Sequence, residues 1–279
     1  MDYYQFLFES IPQSTKDILV AWLSEAGFSG FEEDENILIA FIPVIKFDKH
    51  SFDIIIKSTG EKYSKKIINE INWNAKWEAE FKPAVILYPK TGETFARIRA
   101  SFHSPSGNGI KDIIITPKMS FGTGHHATTY LMIQQMSLVS FKNKTVIDFG
   151  CGTGILSVLS EKMGAESVLA IDIDDWSITN TKENIQVNVC KNIEVIKSDS
   201  IPPGEKAQII LANINLNIIM ANLNSLIDSC LDDTTVIFSG ILASDKQKIL
   251  HELSEKNIVT VGIKEKNNWI VLKTKYKKE

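Results

Sequence analysis

The sequence predicts an α/β protein in which a doubly wound, largely parallel sheet is preceded by a smaller α+β unit. Three observations carry this. The β-branched residues Val146 and Ile147 run into Asp148, and the chain then passes through Gly150, Gly152 and Gly154 into an amphipathic stretch with Ile155, Leu156, Val158 and Leu159. This reads as strand, glycine-rich turn and helix. A second apolar run, Val168 to Ile171, ends in Asp172, twenty-two residues after Gly150, and closes a βαβ unit of the Rossmann-like kind. Beyond it, short apolar runs and helical patterns keep alternating, as successive crossovers of a parallel sheet require.

The βαβ unit has the parts of a nucleoside site. Without Cβ atoms, the glycines let the backbone bend tightly and approach a ligand, and the following helix offers unpaired N–H groups at its start. The acid ending the second strand is placed to accept from both ribose hydroxyls. Dinucleotide enzymes use G-x-G-x-x-G, whose third glycine allows close packing of helix on strand. Here the glycines alternate and Asp148 precedes them. This D-x-G-x-G-x-G pattern resembles the first motif of S-adenosylmethionine-dependent methyltransferases, in which no pyrophosphate needs neutralising and the turn lies against the amino acid part of the cofactor. NAD is the second choice.

Composition sets broad limits. The chain has 279 residues, 44% hydrophobic and 23% charged, enough for one large or two modest domains. No apolar run approaches the ~20 residues of a membrane span, and MDYYQFLFES lacks a basic leader before an apolar stretch; a cytoplasmic protein without membrane contact is expected. Cys151, Cys190 and Cys230 are odd in number and widely spaced, predicting neither a disulfide framework nor a C-x-x-C zinc site. A net charge of −4 gives no general reason to bind nucleic acid and favours encounter with a basic protein.

Residues 1–71 read as a small α+β domain. YYQFLFESI predicts a strand, and Ser14 stands where it could cap a helix with Ile18, Leu19, Trp22 and Leu23 at helical spacing, stopped by Gly27. Phe28 to Phe31 and Ile37 to Ile42 pair across the acidic turn Glu32 to Asn36, Phe52 to Ile56 is helix or strand, and Ile67 to Ile71 is a last strand. The resulting β-α-β-β-α-β order is ferredoxin-like. Substrate recognition is the expected role, with a packing extension as the alternative.

Residues 72–82 form a predicted linker helix, with Trp73 and Trp77 on one face and Pro83 ending it. The remainder, 83–279, is the predicted catalytic domain. It begins with three extended runs, Val85 to Leu87, Phe95 to Ser101 and Asp112 to Thr116, expected as an antiparallel annex. Then comes TPKMSFGTGHHATTYLMI, in which Phe121-Gly122-Thr123-Gly124 predicts an ordered loop, placed as a lid, before a helix starting near Thr128. Thr128 or Thr129 could cap that helix. Adjacent His125 and His126 lack the spacing and carboxylate partner of a metal site, and no metal is expected.

After Asp172 the pattern predicts a helix Trp176 to Val187, strands Ile193 to Ile196 and Gln208 to Leu211, a helix from Leu216, a strand Val236 to Phe238, a helix Asp245 to Glu255, and a final hairpin of Val259 to Ile263 with Trp269 to Lys273. That makes seven strands. The fourth ends in Ala212-Asn213-Ile214-Asn215-Leu216. Ligands of open α/β sheets sit outside the carboxyl ends of the strands near the topological switch, so Asn213 lies where a methyl donor and acceptor meet; capping the next helix is the alternative. Base-directed amino-methyltransferases carry prolines and a stacking aromatic here, whereas this chain has Leu216, which favours an aliphatic amine over a nucleobase.

TPKMSFGTGHHATT, VIDFGCGTGILS, AIDID and LANI, in this order and spacing, resemble the PrmA family, the methyltransferases of large-subunit ribosomal protein L11. The NWNAKW linker and the small N-terminal domain are similar too, so the resemblance covers nearly the whole chain. It implies a class I methyltransferase domain, S-adenosylmethionine as cofactor, and methylation of lysine side chains and the N-terminal amine of ribosomal protein L11, which the N-terminal domain recognises. Carried onto this sequence, the family's cofactor contacts fall on Thr129, Gly150, Asp172 and Asn213, with Gly152 and Phe121 behind them, and Asn213 at the catalytic centre. The chain departs from the common form at His125, at Ala127 and in the ITPK segment before the lid. A monomer is expected. Two other readings are a related protein-lysine or small-amine methyltransferase with another target, and a cofactor-binding assembly factor without catalysis.

Overall fold

The computed structural model describes residues 2–34, 36–68, 82–115 and 124–278. The chain divides into two compact units, Met1–Phe81 and Lys82–Glu279. The predicted linker helix, apart from Lys82, and the 116–123 portion of the predicted lid lie outside the described residues.

The first unit runs β1 (Tyr3–Glu9), α1 (Gln13–Glu25), β2 (Gly30–Asp34), β3 (Ile37–Pro43), α2 (Lys49–Thr59) and β4 (Ser64–Ile68). Its sheet has the order β2-β3-β1-β4 with every pair antiparallel. Strand alternation sends Phe6 and Phe8 of β1 and Leu38, Ala40 and Ile42 of β3 to one face, where Leu19 and Leu23 of α1 and Phe52 and Ile55 of α2 complete a core. Ile18 and Trp22 share the expected helical period but lie one residue, about 100°, off that stripe. They are 46% and 40% exposed. Pro12, and not Ser14, stands at the N-cap of α1, and no side chain caps it. Phe52 to Ile56, too short to decide by period, is helical because Asp48 accepts from the N–H groups of His50 and Ser51 and starts the turn.

The second unit opens with β5 (Ala84–Leu87), β6 (Thr94–Ala100) and β7 (Lys111–Ile115). β5 pairs with β6 antiparallel, but β6 and β7 are parallel, against the expected antiparallel annex. The loop between them carries the chain back before β7 starts, and a partly buried ion pair pins that return. Arg99 Nε donates to Asp112 Oδ2 at 2.7 Å, Arg99 Nη1 donates to the carbonyls of Ala100 and His103, and the Ser106 N–H and hydroxyl both donate to Asp112.

The rest of the unit is α3 (Ala127–Met136), β8 (Thr145–Phe149), α4 (Ile155–Lys162), β9 (Ser167–Asp172), α5 (Asp175–Val187), β10 (Ile193–Lys197), β11 (Ala207–Asn213), α6 (Leu216–Ala221), α7 (Leu223–Asp228), β12 (Cys230–Leu242), α8 (Lys246–Ser254), β13 (Ile258–Lys266) and β14 (Trp269–Tyr276). Seven strands form one sheet in the order β10-β9-β8-β11-β12-β14-β13. The first five are parallel, and β14 runs antiparallel to β12 and β13. The near-continuous apolar runs of β8, β9 and β11 follow from burial on both faces. β12 extends well beyond Val236 to Phe238, and the single helix expected from Leu216 is two short ones, α6 and α7, meeting at Asn222. The chain proceeds outward from β8 through β9 to β10, then returns to β11 on the other side of β8. The switch point therefore lies between β8 and β11, and their carboxyl ends define the site.

Candidate active site

The turn after β8 is built by backbone hydrogen bonds to the neighbouring strand. The N–H groups of Gly150 and Cys151 both donate to the Ile171 carbonyl, at 2.8 and 2.9 Å. Gly150 has φ +77°, and a Cβ placed there would lie 2.1 Å from Ile214 Cγ2, so only glycine fits. From α5, Thr181 Oγ1 donates to the Gly152 carbonyl and Asn184 Nδ2 to the Thr153 carbonyl, both at 2.8 Å. The turn is thus tied to strand and helix before any ligand arrives.

Asp172 ends β9 with both carboxylate oxygens held. Gly152 N–H donates to Oδ2 at 2.9 Å and Asp174 N–H to Oδ1 at 3.0 Å. These bonds leave lone pairs on each oxygen, because a carboxylate offers about four acceptor positions. Asp148, ending β8, is fully buried; Ser157 Oγ donates to its Oδ2 at 2.5 Å and its Oδ1 has no partner. Burial pushes the Asp148 carboxyl up to about 7, the nearby Asp172 charge adds to this, and the Ser157 hydrogen bond opposes it.

At the end of β11 two asparagines divide the work. Asn215, and not Asn213, caps α6, accepting from Ile218 N–H at 3.0 Å. The Asn213 Oδ1 is buried and has no hydrogen-bond partner. An unmet buried acceptor costs on the order of 1–3 kcal/mol, which marks Asn213 as a group awaiting a donor from outside the chain.

These parts surround a cavity of about 750 Å³. Gly150, Gly152, Asp172 and Asn213 line it, and Thr129 enters from α3. Five of the six residues expected at the site are therefore brought together, while Phe121 lies outside the described residues. The cap of α3 falls on His126, not on Thr128 or Thr129: its Nδ1 accepts from Thr128 N–H at 3.4 Å. His125 Nε2 lies 2.7 Å from the Lys82 carbonyl. Among the described residues, no group of three His, Cys, Asp or Glu side chains could hold a metal ion.

The structure adds lining residues that the sequence reading missed. Ile173 and Ser177 follow Asp172, Ser198-Asp199-Ser200 follow β10, and Asn217, Ile218, Ala221 and Asn222 form one face of α6 and its end. Asp199 repeats the signal already present at Asp148 and Asp172, an acid at the end of a parallel strand, and was findable. The α6 face was not, because its helix is too short to show a period.

The fold and site define a class. The solved structure of ribosomal protein L11 methylase from Lactobacillus delbrueckii subsp. bulgaricus is 30% identical, aligns with a TM-score of 0.63, and covers 70% of this chain and all of that one; the fold is that of an α/β methyltransferase. Among curated relatives, the ribosomal protein L11 methyltransferase of Bacteroides thetaiotaomicron is 33% identical over 99% of this chain and its own full length, and that of Porphyromonas gingivalis is 35% identical over 94% of this chain and 91% of its own. Residues 29–277 match the family model described as Ribosomal protein L11 methyltransferase (PrmA), and the chain belongs to that family. Among the described residues, no helix is long and apolar enough to cross a membrane.

Proposed function

We propose that this protein transfers methyl groups from S-adenosylmethionine to lysine side-chain and N-terminal amino groups of ribosomal protein L11. The observation that carries this is Asn213 at the carboxyl end of β11, which lines the same cavity as Asp172 and the glycine turn and whose buried Oδ1 has no partner. Family membership supports the protein substrate. In this reading residues 83–279 are a Rossmann-like class I methyltransferase domain, residues 1–71 a ferredoxin-like domain that recognises the substrate, and 72–82 the linker. The protein works as a cytoplasmic monomer, without binding nucleic acid or membrane directly.

The residues present fit the cofactor. Asp172 keeps acceptor capacity for ribose hydroxyls, and Gly150, Gly152 and Thr129 line the same cavity. When bound, S-adenosylmethionine supplies a methyl group already activated by a positively charged sulfur. The protein's task is to present a neutral amine. A lysine side chain has a reference pKa of ~10.4 and must lose a proton to water first; removal from solvent in the cleft disfavours the ammonium form. Asn213 Oδ1 then accepts an N–H of the neutral amine and orients its lone pair. Alignment of this kind is worth ~7–11 kcal/mol in favourable cases.

The test is methyl transfer to purified ribosomal protein L11, read by mass spectrometry of the modified amines. The wild-type enzyme methylates it. Asn213→Ala loses most of its turnover while calorimetry shows little change in affinity for S-adenosylhomocysteine. Full turnover in that variant would remove Asn213 from the mechanism, and an inert wild-type enzyme would remove the substrate.

A further inference from the structure

We propose that Asn217 is a second acceptor for the substrate amine, beside Asn213, and that it serves amines still carrying two N–H bonds. This rests on the methyl-transfer reading above. Asn217 lies in the first turn of α6, four residues beyond Asn213, and lines the same cavity. The helix is oriented by Leu216 and Ile219, which are buried at 7% and 0% exposure, and this turns the face carrying Asn217 to the cavity. Asn217 is exposed, and among the described residues no side chain or backbone group takes up its carboxamide, which leaves its oxygen open to an incoming donor. Asn222, on the same face, already donates its amide to the Ile218 carbonyl at 3.1 Å, and Asn215 is committed to the cap.

The chemistry of this wall suits an amine that must be neutral. Asp172 and Asp199 belong to the strand-end side of the cavity, whereas α6 contributes only amides and aliphatic groups. A carboxylate beside the amine would hold it as ammonium; a carboxamide oxygen accepts an N–H without that penalty. A neutral primary amine has two N–H donors and one lone pair. If Asn213 Oδ1 takes one N–H, the lone pair is aimed only when the other is held too, and Asn217 supplies that acceptor. In each transfer the nitrogen lone pair forms the new N–C bond while the C–S bond of the sulfonium breaks and leaves its electron pair on sulfur. The product ammonium then gives a proton to water before any further transfer. Each methyl replaces an N–H, so a monomethylated amine needs one acceptor and a neutral dimethylated amine needs none.

The effect of losing Asn217 therefore depends on how methylated the substrate already is. Time courses with Asn217→Ala are followed by mass spectrometry on unmodified ribosomal protein L11 and on the same protein reductively dimethylated at its amines. Transfer to the unmodified protein slows about five- to tenfold, the loss of one hydrogen bond. Transfer to the dimethylated protein stays within about twofold of wild type, and calorimetric affinity for S-adenosylhomocysteine is unchanged. Equal slowing on both substrates, as a general disturbance of α6 would produce, or no slowing on the unmodified one, overturns the assignment. Asn217→Asp gives an independent readout, because its charge favours the ammonium: the pH profile with unmodified protein moves to higher pH, and an unmoved profile counts against Asn217. A wild-type enzyme inert toward both substrates would overturn the function itself, and the Asn217 assignment with it.

Discussion

Gly150 and Ile214 touch only because one of them has no side chain: a Cβ on Gly150 would fall 2.1 Å from Ile214 Cγ2. On the other side, Gly240 of β12, at φ +80°, would place a Cβ 2.3 Å from the Ile214 carbonyl oxygen. Ile214 is therefore clamped between the turn after β8 and the bulge of β12. The neighbouring Asn213 inherits its position from that clamp, so the two halves of the cavity are set by one packing contact.

Gly150→Ala tests the clamp. A left-handed conformation costs a non-glycine residue roughly 1–2 kcal/mol, and the contact with Ile214 adds to it. The thermal midpoint is expected to fall by about 2–8 °C, at about 2–4 °C per kcal/mol for a unit of this size, with affinity for S-adenosylhomocysteine reduced at least about tenfold, as the loss of roughly 1.4 kcal/mol implies. Adding Ile214→Ala recovers the steric part and leaves the backbone part, so the two substitutions are non-additive.

Asp172→Asn keeps one acceptor for the Gly152 N–H and removes the charge. Hydrogen bonds to charged groups contribute about 1.5–3 kcal/mol, so calorimetry should show the dissociation constant for S-adenosylhomocysteine raised by about ten- to a hundredfold. Far-ultraviolet circular dichroism should stay as in wild type.

Asn213→Ala and Asn215→Ala separate the two asparagines. Asn215 caps α6, and losing such a cap costs about 1 kcal/mol of stability, visible in chemical unfolding. Asn213 makes no hydrogen bond through its buried Oδ1, so its loss leaves unfolding stability at or above wild type, by up to the ~1–3 kcal/mol that an unmet buried acceptor costs, while lowering turnover.

Asp148 gives a pH signature. Its carboxyl titrates at about 7 in the folded protein against 3.8 for the free side chain, so the native state holds the extra proton between these values. Stability carried by the protonated form is fully present below 3.8 and is lost as pH rises through about 7. Asp148→Asn, which can still accept from Ser157, flattens the decline in thermal midpoint between pH 4 and 7. A wild-type midpoint that rises across this range would contradict the assignment.

Several elements were legible because their signals are local. Phe6 and Phe8 declare their strand by alternation and Val146-Ile147 by an apolar pair running into the turn, and the glycines of the turn declare a backbone that other residues rarely adopt. The buried face of α1 was not legible, because Ile18 and Trp22 satisfy the same period as Leu19 and Leu23. Only the sheet they approach decides which pair is buried. The direction of β7 was equally hidden, since Asp112 and Arg99 lie thirteen positions apart and their pairing is a property of the fold.

By itself the sequence determined the strand-turn-helix-strand unit and its terminal acid, since these depend on residues within one turn or one strand of each other. The tertiary structure decided which asparagine caps and which is left unmet, and that Asn217 joins the cavity. Those outcomes depend on which hydrogen bonds neighbouring elements have already taken, and no local pattern records a partner brought from a different strand.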